Sequence, residues 1–264
     1  MQGDGNIISF MSPTSSTDGM YPKKWIIIDG FRTLLKVRNF DRHFYDDISG
    51  VFASQILRVL TSKNRVKYAD YFTVENGYCG SFNFVKEGQN LVSAYRYLLH
   101  IGEDPGYTTK DQRYHSLIQP FGHTWLDVMM ILDYVVFNID RHLNNFGFIQ
   151  NSDTGELLCP APIFDTGSSI FAAFGVGAKD DICNKDFKAR TFASTHNLQI
   201  KLVKLSAYQD ELMELRTNIK SLFYETYKSA ELKDLVLSSM AQLLQERIEF
   251  LCKDLHKSKH SMFT

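Results

Sequence analysis

The sequence has little of what would assign it to a membrane, a polyanion or an oxidising compartment. Its 264 residues contain no apolar run of spanning length, because the longest, Val128 to Phe137, is broken by Asp133, whereas a transmembrane helix needs roughly 20 apolar residues. Charge of one sign is missing too. Lys and Arg number 29 against 30 Asp and Glu, a formal net charge of -1, so no global positive field exists to release counterions from nucleic acid or to hold the chain on an anionic bilayer. Neither obligate nucleic acid nor a membrane is therefore expected as a partner. Cysteine is scarce: Cys79, Cys159, Cys183 and Cys252 are far apart and form no CxxC pair. That excludes a disulfide framework and a zinc motif and leaves reduced thiols. The opening residues, Met1-Gln2-Gly3-Asp4, have neither the basic nor the apolar region of a secretory signal, which makes the expected location cytoplasmic.

What is present is an ordinary globular composition. With 44% hydrophobic and 22% charged residues the chain can bury a substantial core, and at this length one large domain or two lobes are both reasonable. Local patterning favours two lobes. Residues 10–23 mix Ser, Thr, Gly and Pro without an apolar period and read as loop. Lys24–Ile28 and Arg32–Val37 are β-type runs around Asp29-Gly30, a hairpin signal. Ile48, Val51, Phe52, Ile56, Val59 and Leu60 trace one face of a helix that starts near Asp46 and Asp47. Val66–Val74 and Tyr78–Val85 read as a second strand pair around Glu75-Asn76-Gly77. From Leu91 the pattern turns helical, with 102–115 the only linker-like stretch. Trp125, Val128, Met129, Leu132, Val135 and Val136 form an apolar stripe, Phe146–Gln150 and Glu156–Phe164 read as short strands, and Lys201–Leu255 carries two or three amphipathic helices. The expected fold class is α+β, with a small β-rich N-lobe over residues 1–85 and a larger helical C-lobe over 86–264.

Chemistry concentrates after the apolar stripe, in Asn138-Ile139-Asp140-Arg141-His142-Leu143-Asn144-Asn145-Phe146-Gly147. Phosphoryl transfer needs a carboxylate beside the attacking hydroxyl and an oxygen ligand for Mg²⁺ nearby, and Asp140 and Asn145, as D-x-x-x-x-N, supply both. Further on, Ile163-Phe164-Asp165-Thr166-Gly167 resembles the D-F-G element, whose Asp bridges metal and phosphates. Alone, each fragment has a plainer reading: an ion pair at a helix end for the first, a turn or half of an aspartic protease site for the second. The protease needs two facing carboxylates, and a single D-T-G occurs. A kinase also needs a lysine on an N-lobe strand, and Lys36 in Leu34-Leu35-Lys36-Val37 fits, although an edge-strand lysine often serves only solubility. Ser15, Ser16 and Thr17, in Ser15-Ser16-Thr17-Asp18-Gly19, could present N–H groups and hydroxyls to phosphate or form an ordinary loop.

Together, in this order, these motifs resemble the HipA-like serine/threonine kinases, bacterial toxin kinases with a protein-kinase-related fold. The resemblance runs from about Lys24 to about Leu255, with Trp25, Phe52-Ala53-Ser54 and Ser81-Phe82-Asn83-Phe84 as supporting features. It implies an ATP- and Mg²⁺-dependent kinase acting on a protein hydroxyl, with an antitoxin as a candidate partner. By resemblance, Asp140 is the catalytic carboxylate, Asn145 and Asp165 bind Mg²⁺, Lys36 holds the ATP phosphates and His142 lies against them. The backbone at Phe82, Asn83 and Phe84 forms the adenine hinge, Phe164 lines the pocket, and Ser15 and Ser16 are candidate autophosphorylation sites. One departure stands out. Where relatives carry a Glu to pair with the strand lysine, this chain has Ser49-Gly50, so Asp46 or Asp47 must substitute or Lys36 goes without that partner. Two other functions stay open: a phosphatidylinositol kinase-like lipid kinase, which shares the D-R-H-x-x-N loop, and a nucleotide-binding pseudokinase or interaction module.

Overall fold

The computed structural model describes residues 23–37, 45–64, 66–74, 78–171 and 186–260. It has two lobes, a small one rich in β-structure and a larger helical one. In the small lobe β1 (Lys23–Ile28) and β2 (Phe31–Val37) form the expected hairpin, with φ of 49° at Asp29 and 81° at Gly30. This left-handed pair matches the twist of the flanking strands, and Asp-Gly adopts it at little cost. After α1 (Asp46–Leu60), β3 (Tyr71–Val74) and β4 (Tyr78–Phe82) pair with each other, and β4 also pairs with β2, in the sheet order β1-β2-β4-β3. All pairings are antiparallel. The register sets Lys36 opposite Cys79 and Leu34 opposite Ser81, so these side chains share one face of the sheet.

The large lobe contains α2 (Ala94–His100), α3 (Lys110–Ile118), α4 (Thr124–Val135), the short α5 (His196–Gln199), α6 (Gln209–Tyr227) and α7 (Asp234–His260). A second sheet, β5 (Gln89–Ser93), β6 (Gly147–Asn151) and β7 (Leu157–Pro160), is antiparallel with β6 central. Every residue of α4 from Trp125 to Val135 is buried, which makes it the axis of the lobe. Buried carboxylates on such a helix must find partners. Asp127 takes one from the His123 ring at 2.7 Å and one from the Tyr208 hydroxyl at 3.2 Å. From α7, Arg247 donates to the Tyr134 carbonyl at 2.6 Å and stacks on the Tyr134 and Phe137 rings, clamping the end of α4.

Helix α1 serves both lobes. Its fully buried Phe52 packs edge-on against Phe223 at 5.6 Å and Tyr227 at 6.2 Å on α6, and Ser49 Oγ lies 2.9 Å from the Tyr227 hydroxyl. On its other side Gly50 meets the ring of Tyr71 on β3. One continuous apolar cluster therefore joins α1 to the large lobe, and a smaller one, Ala69, Tyr71 and Cys79 with Val51, Phe84 and Phe164 against it, lies between the lobes.

Three expectations need correction. The strand read as starting at Val66 begins at Tyr71. Residues 67–69 instead bond across the lobes, Ala69 N–H to the Ile163 carbonyl at 2.8 Å and Ile163 N–H to that of Lys67 at 2.9 Å, so their β-character serves an isolated parallel bridge. Helical structure starts at Ala94 rather than Leu91, because Leu91–Ser93 complete β5 and Ser93 then caps α2. The linker-like stretch 102–115 holds the start of α3, whose Thr109 and Gln112 form a reciprocal capping box. The Glu75-Asn76-Gly77 turn lies outside the described residues.

Gly147 carries the junction of β5 and β6: a Cβ there would sit 2.0 Å from the Val92 carbonyl oxygen and 2.9 Å from the Ala94 nitrogen. Backbone cannot yield as a side chain can. Gly147→Ala is expected to destabilise the protein by more than about 3 kcal/mol, read as a drop in the urea midpoint at unchanged slope.

Candidate active site

The loop after α4 is held from within. Phe137 adopts φ 57°, the Asn138 amide donates to Asp133 Oδ1 at 2.8 Å, and Asn138 Oδ1 in turn accepts the Asp140 N–H at 3.2 Å. Asn145 closes the loop, its Nδ2 donating to the Asp140 carbonyl at 3.0 Å and its N–H to that of His142 at 2.9 Å. Arg141 organises the whole. Its guanidinium, 2% exposed, meets Asp133 in a fork, Nε to Oδ2 at 2.9 Å and Nη2 to Oδ1 at 3.0 Å, while Nη1 donates to the carbonyls of Asn145 and Phe164. One buried cation thus ties α4, the loop and the segment leading to Asp165 together.

Asp165 receives the small lobe. Lys36 Nζ lies 2.8 Å from Asp165 Oδ1, and this lysine is almost fully buried. The carboxyl of Asp165 is held well below the ordinary range, first by the Lys36 ammonium and further by Lys23 and Arg141, against the opposing effect of burial. For Lys36, burial pulls its pKa down, but the Asp165 carboxylate more than reverses that and holds the amine charged. Burial pushes the facing Cys79 thiol up to about 12, which makes it unreactive. Cys79, Cys159 and Cys252 are free thiols, while Cys183 lies outside the described residues.

The other sequence-derived residues fall as follows. Asp140 directs Oδ1 to Arg190 Nη1 at 2.8 Å. His142 accepts the Asn144 N–H at Nδ1 (3.2 Å), which in a neutral ring leaves Nε2 as a donor. Phe84 and Phe164 pack against each other with centroids 5.6 Å apart, beside Tyr71. Asn83 bonds both the N–H and the carbonyl of Val85, and its own N–H reaches the Arg32 carbonyl at 2.8 Å, fixing the chain where β4 leaves the sheet. Phe82, opposite Thr33, places its ring with Phe31 and Phe72 on the sheet face away from Lys36. Ser15, Ser16 and Thr17 lie outside the described residues. Asp165 and Lys36 are brought into direct contact, Asn145 and Asp140 are joined to each other, and Arg141 links the two sets.

Three participants escaped sequence reading. Asp133 had a signal, as a lone carboxylate in an apolar helix must be partnered. Arg190 and Tyr71 had none, since both act across the chain. Neither of two surface hollows, of about 470 Å³ beside Lys63 and Tyr208 and about 320 Å³ beside Trp125 and Cys159, includes these residues.

The donor set fits a magnesium ion better than a transition metal. Among the described residues no group of three or more His, Cys, Asp or Glu is poised around a common point, whereas Mg²⁺ takes one or two oxygen ligands from protein and completes its shell with phosphate and water. Asp165 Oδ2 and Asn145 Oδ1 accept no hydrogen bond from the described residues and are oxygens of that kind.

Comparison with solved structures bears on the fold. The chain superposes on the crystal structure of the Helicobacter pylori proinflammatory kinase CtkA with a TM-score of 0.65 at 16% identity, over 96% of this chain and 98% of that one. It also matches HipA of Shewanella oneidensis, from a toxin–antitoxin structure with HipB and operator DNA, with a TM-score of 0.53 at 11% identity over 94% of this chain and 68% of that one. The fold is that of the HipA-like kinases. No family model and no curated protein matches the sequence, so the likeness to HipA-like kinases is carried by three-dimensional structure and motif spacing.

Breaking the Arg141 fork strands a buried charge. Asp133→Ala should cost about 3–5 kcal/mol, measured by urea denaturation. Acid should act through Asp165. A carboxyl depressed by folding contributes stability above its unfolded pKa of about 4 and loses it as pH falls, because the unfolded chain binds the proton first. The stability gap between wild type and Asp165→Asn should stay constant from about pH 8 to about pH 5 and narrow below about pH 4.

Proposed function

We propose that the protein is an ATP-dependent kinase that transfers a phosphoryl group from Mg·ATP to a Ser or Thr hydroxyl of a protein. The observation that carries this reading is the 2.8 Å pair of Lys36 and Asp165, one from each lobe, next to a loop that presents Asp140 and Asn145. Bound Mg·ATP supplies the transferable phosphoryl group and the metal charge that offsets its oxygens. The chain's own residues do the rest by position. Lys36 would hold the phosphates, Asn145 and Asp165 would hold the metal through side-chain oxygens, and His142 Nε2 would donate to a phosphate oxygen. Asp140 accepts the hydrogen bond of the incoming hydroxyl and takes its proton as the new P–O bond forms and the bond to ADP breaks. Rate gain then comes from alignment and preset charge. By resemblance the adenine hinge falls on the backbone at Phe82, Asn83 and Phe84, where the Asn83 N–H is already bonded to the Arg32 carbonyl, and Phe164 lines the pocket. By sequence alone, Ser15, Ser16 and Thr17 are candidates for contact with phosphate, and Ser15 and Ser16 for autophosphorylation.

The HipB complex of the HipA neighbour supports an antitoxin-like protein as a candidate partner. Among the described residues no helix is long and apolar enough to cross a membrane, and a cytoplasmic location remains our reading. A second function is favoured by one contact. Arg190 occupies Asp140 Oδ1 at 2.8 Å, as expected of a protein that binds nucleotide without turning it over.

Incubation with Mg·ATP followed by intact mass separates the two. Wild type should gain phosphate, and Asp140→Ala and Asp165→Ala should lose at least about 100-fold in rate. Thermal stabilisation by nucleotide with no transferred phosphate, wild type behaving like both variants, would establish the binding-only alternative.

A further inference from the structure

Helix α1 carries no Glu, and at Gly50 it meets the ring of Tyr71, whose Cγ lies 3.5 Å from where a Cβ would be. Tyr71 reaches both members of the interlobe pair. Its ring lies 5.0 Å below Lys36 Nζ, within cation–π range. Its hydroxyl oxygen accepts the Asp165 N–H at 3.2 Å. Asp165 sits at φ 56°, in the left-handed region that Asp tolerates better than most residues with a Cβ. The ring is itself fixed: it is 6% exposed, and the Tyr71 N–H donates to Ser54 Oγ at 2.9 Å. Burial raises the phenol pKa, so Tyr71 stays neutral.

We propose that Tyr71 is the positioning residue of this site in place of the helix carboxylate, its ring holding the Lys36 ammonium and its hydroxyl holding the backbone of Asp165. The inference rests on the reading of Lys36 and Asp165 as the phosphate and metal groups of a nucleotide site. A neutral ring steadies the ammonium without competing with phosphate for it. When phosphate draws Lys36 off Asp165, the amine stays over the ring, and the Asp165 carboxylate, kept in place through its own N–H, is released to the metal.

Two variants separate the two contacts. Tyr71→Phe keeps the ring and removes the hydroxyl; Tyr71→Leu removes both. In the ligand-free protein, hydrogen exchange of the Asp165 amide should quicken at least tenfold in Tyr71→Phe, while the neighbouring Ala69 amide, bonded to Ile163, keeps its rate. In turnover, Tyr71→Phe should keep the wild-type KM for ATP but need several-fold more Mg²⁺ and show a lower kcat. Tyr71→Leu should raise KM as well. Unchanged Asp165 exchange in Tyr71→Phe would overturn the proposal, and so would faster exchange with an unaltered magnesium requirement in an active enzyme. If wild type neither binds nucleotide nor transfers phosphate while Tyr71→Phe still frees the Asp165 amide, the kinase reading fails and the positioning contact stands.

Discussion

A guanidinium buried in a protein costs several kcal/mol of desolvation unless its donors find oxygens in good geometry. Arg141 meets that condition with the Asp133 carboxylate and two backbone carbonyls drawn from different parts of the chain. The requirement has a structural consequence. Because the cation cannot be left unpaired, the end of α4, the loop carrying Asp140 and Asn145, and the segment before Asp165 are fixed relative to one another. The loop's internal bonds, from Asn138 and Asn145, refine a geometry that Arg141 sets.

The small lobe attaches to this platform through fewer contacts. Helix α1 is committed to the large lobe by Phe52 and Ser49, whereas the sheet reaches across by the bridge of residues 67–69 to Ile163, the Phe84–Phe164 pair and the Lys36–Asp165 ion pair. A nucleotide site at such a seam gains from both properties. The large-lobe oxygens are held by the Arg141 fork, and the lysine arrives from β2, a strand paired on both sides. Tyr71 lies at the seam, touching α1 through Gly50, β2 through Lys36 and the large lobe through Asp165.

Much of this was legible in the sequence where the physics is local. Asp29-Gly30 dictates its hairpin through φ and the stripe of α1 marks its helix through its period, while Asp140, Asn145 and Asp165 stand out by a spacing that would suit phosphoryl transfer. Short strands next to helices were not. Leu91–Ser93 runs straight into α2, and its apolar pattern is too brief to separate period 2 from period 3.6. The β-type run at 66–70 has strand character yet pairs with Ile163 rather than with the sheet, a choice made by residues about a hundred positions away. For the same reason neither the Tyr71–Asp165 contact nor the Arg190–Asp140 contact leaves a local trace. The capping box of α3 at Thr109 and Gln112 does carry a local signal, one that the linker-like reading of 102–115 passed over.

The account stands on Lys36, Asp140, Asn145 and Asp165 surrounding a single metal-bound nucleotide. A crystal structure of the protein with Mg²⁺ and a non-hydrolysable ATP analogue tests this most directly. The account predicts a metal ligated by Asn145 and Asp165, Lys36 on the phosphates and Asp140 facing the terminal one. Nucleotide bound away from these side chains, or a metal that touches neither Asn145 nor Asp165, would contradict it.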